Sequence, residues 1–83
     1  MDYILKPHAK QRMKERDISE ELVRGALQNP TQMRYDAENR LLIKKIYSKS
    51  GKKRLLLIAG EIKDGEMLEI ITVIDTSKVK KYL

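Results

Sequence analysis

Hydrophobic and polar positions change rhythm once along this chain of 83 residues. Up to Pro30 the apolar residues are spaced as on helices, and beyond it they crowd into runs that read as strands. Residues 3–5 predict a short opening strand. Pro7 ends it, and its missing N–H costs little in the first turn of a helix. Residues 8–16 are helix formers throughout, with Ala9 and Met13 as the core-facing stripe. Asp17 and Ile18 interrupt the pattern. Ser19 then serves as N-cap of a second helix that opens with Glu20 and Glu21, charges that suit a helix N-terminus. Leu22, Val23, Ala26 and Leu27 recur at amphipathic spacing until Asn29 and Pro30 stop the helix.

Residues 33–35 predict a further short strand and 36–39 a polar turn. Residues 41–47 favour a strand through their β-branched and aromatic side chains, and 48–53 read as a loop around Gly51. The nearly continuous apolar run 54–62 suits a central strand covered on one face and on part or all of the other. Asp64-Gly65 is a hairpin signal, because a type I′ turn needs positive φ at both central residues. Residues 67–75 form the last long strand, and the tail 77–83 reads as a final turn of helix or as an extended arm. The economical arrangement is α+β: two N-terminal helices packed on a three- to four-stranded antiparallel sheet, one domain over residues 1–83.

Composition narrows the chemistry. Without cysteine there is no disulfide framework or thiolate metal site, and one histidine, His8, cannot make a structural zinc site. No phosphate loop or nucleophile motif is present, so neither metal nor cofactor is expected. The opening residues mix Asp2, Lys6 and Pro7 among apolar ones, unlike a signal peptide. No apolar run approaches the roughly 20 residues that cross a bilayer, so a cytoplasmic location without a membrane partner is expected. The net charge of +6 is unevenly spread. Residues 40–54 hold seven basic side chains and no acid, residues 55–76 hold five acids against Lys63, and Lys78, Lys80 and Lys81 follow. Such segregation fits an electrostatic footprint for a polyanion, and equally a solvated sheet edge whose lysines discourage edge-to-edge pairing.

The stretch from His8 to Ser19 carries the candidate chemistry. At 100° per residue, His8, Arg12, Glu15 and Arg16 fall within an arc of roughly 100° on one helix face. An imidazole beside two guanidiniums suits a phosphodiester, with histidine moving a proton and arginine neutralising charge. The same residues are structural if Glu15 pairs with Arg12 and His8 merely occupies the first helical turn.

The run of His8, Ala9, Arg12, Met13, Arg16, Ile18 and Ser19, with the amphipathic helix that ends at Asn29-Pro30, resembles the opening of a small prokaryotic family of unknown function. The strand Ile71-Thr72-Val73-Ile74, the basic stretch after it and Tyr82 fit that family's ending. The family is similar to the BrnT toxins, and more distantly to the RelE and ParE toxins, in length and helix-then-sheet order. The resemblance implies a RelE-like fold (βααβββ) and a toxin-like, metal-independent endoribonuclease, in which the ribose 2′-hydroxyl attacks the adjacent phosphate. It implies His8, Arg12 and Arg16 as the catalytic residues. Arg54 and Lys80 join them, by chemistry and position, as ligands of the RNA, and Tyr47 and Tyr82 as groups that stack on a base or donate a proton. Tyr47 fits a cross-strand core position equally well. The implied partners are RNA and an antitoxin protein. Two readings from other classes stand beside this one: a non-catalytic RNA- or protein-binding module on the same scaffold, and a subunit whose His8, Arg12 and Arg16 make buried salt bridges across an interface.

Overall fold

The structure, a computed structural model, describes residues 2–38 and 40–83. A short strand β1 (Asp2–Leu5) is followed by helices α1 (Pro7–Glu15) and α2 (Glu20–Gln28). Strands β2 (Gln32–Tyr35), β3 (Leu41–Lys49), β4 (Lys52–Lys63) and β5 (Met67–Thr76) come next, and a single-turn helix α3 (Val79–Tyr82) closes the order. The local signals act as expected at the helix starts. Pro7 occupies the first turn of α1, and the Ser19 hydroxyl accepts from the Leu22 N–H at 3.1 Å to cap α2. Asp17, at φ 53°, turns the chain between the two helices.

The α+β class holds, with a larger sheet than expected. Five strands, not three or four, form one sheet in the order β1-β5-β4-β3-β2. The sheet is not purely antiparallel, because β1 runs parallel to β5. The helix layer explains this pairing: α1 and α2 lie between β1 and the rest of the sheet in sequence, so the chain crosses the sheet before it returns. The loop expected at 48–53 is instead a tight turn. Tyr47 pairs with Arg54 and Lys49 with Lys52, and Ser50 (φ 52°) and Gly51 (φ 77°) supply the positive φ of a two-residue hairpin. At Asp64-Gly65 both residues have the positive φ read from the sequence. The polar turn expected at 36–39 includes Asn39, which lies outside the described residues; beside it, Asp36 Oδ1 accepts from the Glu38 and Arg40 N–H groups.

Helices α1 and α2 cover one face of the sheet. Ala9, Met13, Ile18, Val23 and Ala26 pack there on Leu41, Ile43, Leu56, Ile58, Leu68, Ile70 and Val73. The pairing of β4 with β5 slips once: Ala59 faces Thr72 and Gly60 faces Ile70, which leaves Ile71 as the extra residue of a bulge. That slip brings both Ile70 and Val73 to the helical face although they are three residues apart. The opposite face is only partly covered. There α3 packs against β4, and Leu55 is fully buried outside the helical-face core. Hence β4 is buried on one face and part of the other, as its apolar run predicts.

Candidate nucleic-acid interface

Strand β4 joins the two hairpins of the sheet, and its 12 residues separate them by roughly 35–40 Å. The chain's charge divides along this axis. At one end the β3–β4 turn carries Lys49, Lys52, Lys53 and Arg54. Thr76, the last residue of β5, pairs with Leu55, so the segment after it emerges at this same end. Lys53 of the hairpin and Lys78, Lys80 and Lys81 of the tail line one shallow depression around Ile46 and Val79. At the other end the β4–β5 turn carries Glu61, Asp64, Glu66 and Glu69. Two basic segments that the sequence separates with an acidic one are thus brought together by the antiparallel register.

At the basic end, on the helical face, Tyr47, Arg54 and Asp75 form a cluster. Tyr47 and Arg54 are cross-strand partners on β3 and β4, and Arg54 reaches diagonally to β5. The Arg54 Nε–H donates to Asp75 Oδ1 at 2.8 Å. The Asp75 side chain is 7% exposed and that of Arg54 30%. Burial works to raise the Asp75 pKa, but hydrogen bonding from Arg54 and Tyr47 and the charges of Arg54 and Lys49 hold it below the ordinary carboxylate value. The Tyr47 hydroxyl stands beside this pair; burial first and then Asp75 push its pKa up, so it stays protonated. Asp75 strengthens the cationic state of Arg54, mainly through the same hydrogen bond.

The candidate residues of α1 sit on the helical face. His8 is in the first turn and exposed, near the point where the Lys6 N–H donates to the Ile70 carbonyl of β5 at 3.0 Å. The Arg12 Nε–H points to His8 Nε2 at 3.4 Å, so this pair is brought together as the helical spacing predicts. Arg12 also approaches Glu15 at 3.9 Å, the structural pairing the sequence left open. Arg16 is the C-cap of α1, its N–H donating to the Arg12 carbonyl at 3.0 Å. Its φ of −106° and ψ of 9° leave the helical geometry, and its side chain makes no hydrogen bond to His8 or Arg12 among the described residues. Tyr82 belongs to α3 on the opposite face, where its carbonyl accepts from Lys44 and its ring lies 5.4 Å from the Lys81 ammonium. Lys80 belongs to the same turn.

Sequence reasoning missed Asp75 as a site residue and read the hairpin lysines only as part of a basic run. The signal for Asp75 was a lone acid closing an apolar strand, which becomes informative only once the register sets it diagonal to Arg54. Among the described residues no three His, Asp or Glu side chains gather as metal ligands. No helix among them is long and apolar enough to cross a membrane.

Fold and surface together define a small α+β domain, two helices on one face of a five-stranded sheet with a basic and an acidic end. The chain belongs to the family described as Domain of unknown function (DUF4258), whose model matches residues 5–82. No curated protein and no solved structure matches it.

Proposed function

We propose that the protein binds RNA at its basic end and acts as a toxin-like, metal-independent endoribonuclease on a RelE-like scaffold. The observation that carries this reading is the convergence of Lys49, Lys52, Lys53 and Arg54 with Lys78, Lys80 and Lys81 at one end of the sheet. Such a surface neutralises phosphates and releases their counterions. The likeness to BrnT and RelE toxins rests on residues 8–19 and on the βαα opening before the antiparallel strands.

His8 supplies the proton transfer. Its Nε2 accepts from the Arg12 Nε–H, which sets the imidazole beside a guanidinium that can bind the phosphate. In the reaction the 2′-hydroxyl proton passes to a base such as His8, the 2′-oxygen bonds to phosphorus, and the bond from phosphorus to the 5′-oxygen breaks. The departing 5′-oxygen takes a proton from solvent water. The products are a 2′,3′-cyclic phosphate and a 5′-hydroxyl. The antitoxin of such a system is the protein partner this reading entails.

A second reading, a binding module without catalysis, is favoured by two observations. Lys80 and Tyr82 lie on the face opposite His8 and Arg12, and Arg54 is already engaged by Asp75. One experiment separates the two. Labelled single-stranded RNA is incubated in excess chelator with the wild type and with a His8→Ala, Arg12→Ala double variant. Cyclic-phosphate ends from the wild type, reduced by about 10²–10⁴-fold in the variant, are the expected result. RNA that is retarded by both but stays intact replaces the nuclease with the binding module.

A further inference from the structure

Lys44 is a charged residue buried as a whole, 9% exposed, in the middle of the sheet. It sits within β3 on the face away from α1 and α2. Its neighbour Lys45 points to the helical face, where the ammonium reaches the Asn29 carbonyl at the end of α2. Across the sheet from Lys44 stands Leu57, and across from Leu57 stands Ile74. The adjacent row on the same face is Leu42, Ala59 and Thr72. These two rows floor a depression of about 260 Å³, bordered by Tyr82 of α3 and almost wholly apolar.

An ammonium in apolar surroundings is costly unless its charge is answered. Lys44 donates to the Tyr82 carbonyl oxygen, a dipole at the C-terminal end of α3. An ammonium has three donors, and Lys44 shows no further hydrogen bond and no carboxylate partner among the described residues. Among the described residues Lys44 is thus a largely buried cation with no carboxylate in salt-bridge contact, in the wall of an apolar hollow.

We propose that this hollow is a binding site for a small amphipathic anion: a carboxylate on an apolar body, of the medium-chain fatty acid type. The carboxylate takes the free donors of Lys44, and the apolar body lies on Leu42, Leu57, Ala59 and Ile74. Charge complementarity selects the headgroup, and the volume, just under the roughly 300–1,000 Å³ of common ligand sites, selects a short ligand. A nucleic acid does not fit this chemistry, since the walls would strip water from phosphates while a single cation answers them. The site lies on the face opposite His8 and Arg12 and does not depend on any activity at RNA.

The test is a titration of the whole protein with decanoate below its micelle concentration, followed by amide chemical shifts, with decanol as the uncharged control. Saturable binding of decanoate, with shifts centred on β3, β4 and α3, is expected, and decanol should bind about tenfold or more weakly because it cannot form the charge-assisted hydrogen bonds. Lys44→Met should remove the preference for decanoate, and Ala59→Leu should fill the hollow and block both ligands while Lys44 remains. Equal binding of decanoate and decanol overturns the proposal. So does unchanged decanoate binding by either variant, or no binding up to about 1 mM, a level that corresponds to roughly 4 kcal/mol of affinity. A dimer in sedimentation that decanoate does not dissociate would identify a second copy as the occupant and overturn it as well.

Discussion

Asp75 shows how a single residue gains a role from its neighbours. Buried and paired with Arg54, its carboxyl is held below the ordinary value although burial opposes ionisation. A carboxyl whose folded pKa is depressed contributes stability above its unfolded pKa and loses that contribution as the pH falls through the folded value. The window therefore opens near pH 4, the ordinary carboxylate range, and extends downward. Asp75→Asn should flatten the decline of the thermal midpoint below about pH 4 while lowering the midpoint at neutral pH, as followed by circular dichroism. An unchanged acid limb would mean that the Arg54 contact does not hold in solution. The site was only partly legible here. The pairing of His8 with Arg12 follows from four-residue spacing, whereas the place of Arg16 at the C-cap depends on where α1 ends and on the left-handed turn at Asp17.

At the level of elements, Gly60 sets the shape of the sheet. A Cβ there would meet the Glu69 carbonyl oxygen at 2.5 Å and Leu68 Cδ1 at 2.9 Å, so β4 and β5 approach this closely only with glycine at the bulge. Gly60→Ala should cost about 1–3 kcal/mol, through forced displacement of β5, and lower the melting temperature by roughly 4–8 °C for each kcal/mol. The measurement is a urea titration, and an unchanged midpoint would show that the bulge relaxes freely. The same bulge explains why the last strand was recognised but its faces were not. Helices read well because Pro7, Ser19 and Asn29-Pro30 act locally at their ends. In the run Leu68 to Ile74, inward residues fall at Leu68, Ile70 and Val73, a spacing that no strict alternation predicts. The parallel seat of β1 was equally hidden, since it depends on Lys6 and the helices returning the chain to Ile70 rather than on any pattern within residues 2–5.

Charge distribution belongs to the whole molecule, because the two basic segments are separated by an acidic one in sequence and meet only in the fold. The hairpin lysines and the tail lysines meet only through the Leu55–Thr76 end of the β4–β5 ladder, and the turn at Asp64-Gly65 carries the acids to the far end of a molecule 39 Å long. A polyanion is therefore drawn to one end and repelled from the other, which orients the encounter as well as strengthening it. Two variants distinguish this arrangement from an effect of net charge alone. Lys52→Glu with Lys80→Glu changes the charge at the basic end, while Glu61→Lys with Glu66→Lys changes it by the same amount, in the opposite sense, at the acidic end. If binding follows the local surface, the first pair should weaken retention of single-stranded RNA and reduce the slope of log affinity against log salt by about 0.7 for each phosphate contact removed. The second pair should leave that slope nearly unchanged, since no phosphate contact is added at a surface the RNA does not touch. Equal and opposite changes from the two pairs would instead show that the molecule acts as a diffuse positive charge, and the basic end would lose its claim to be the interface.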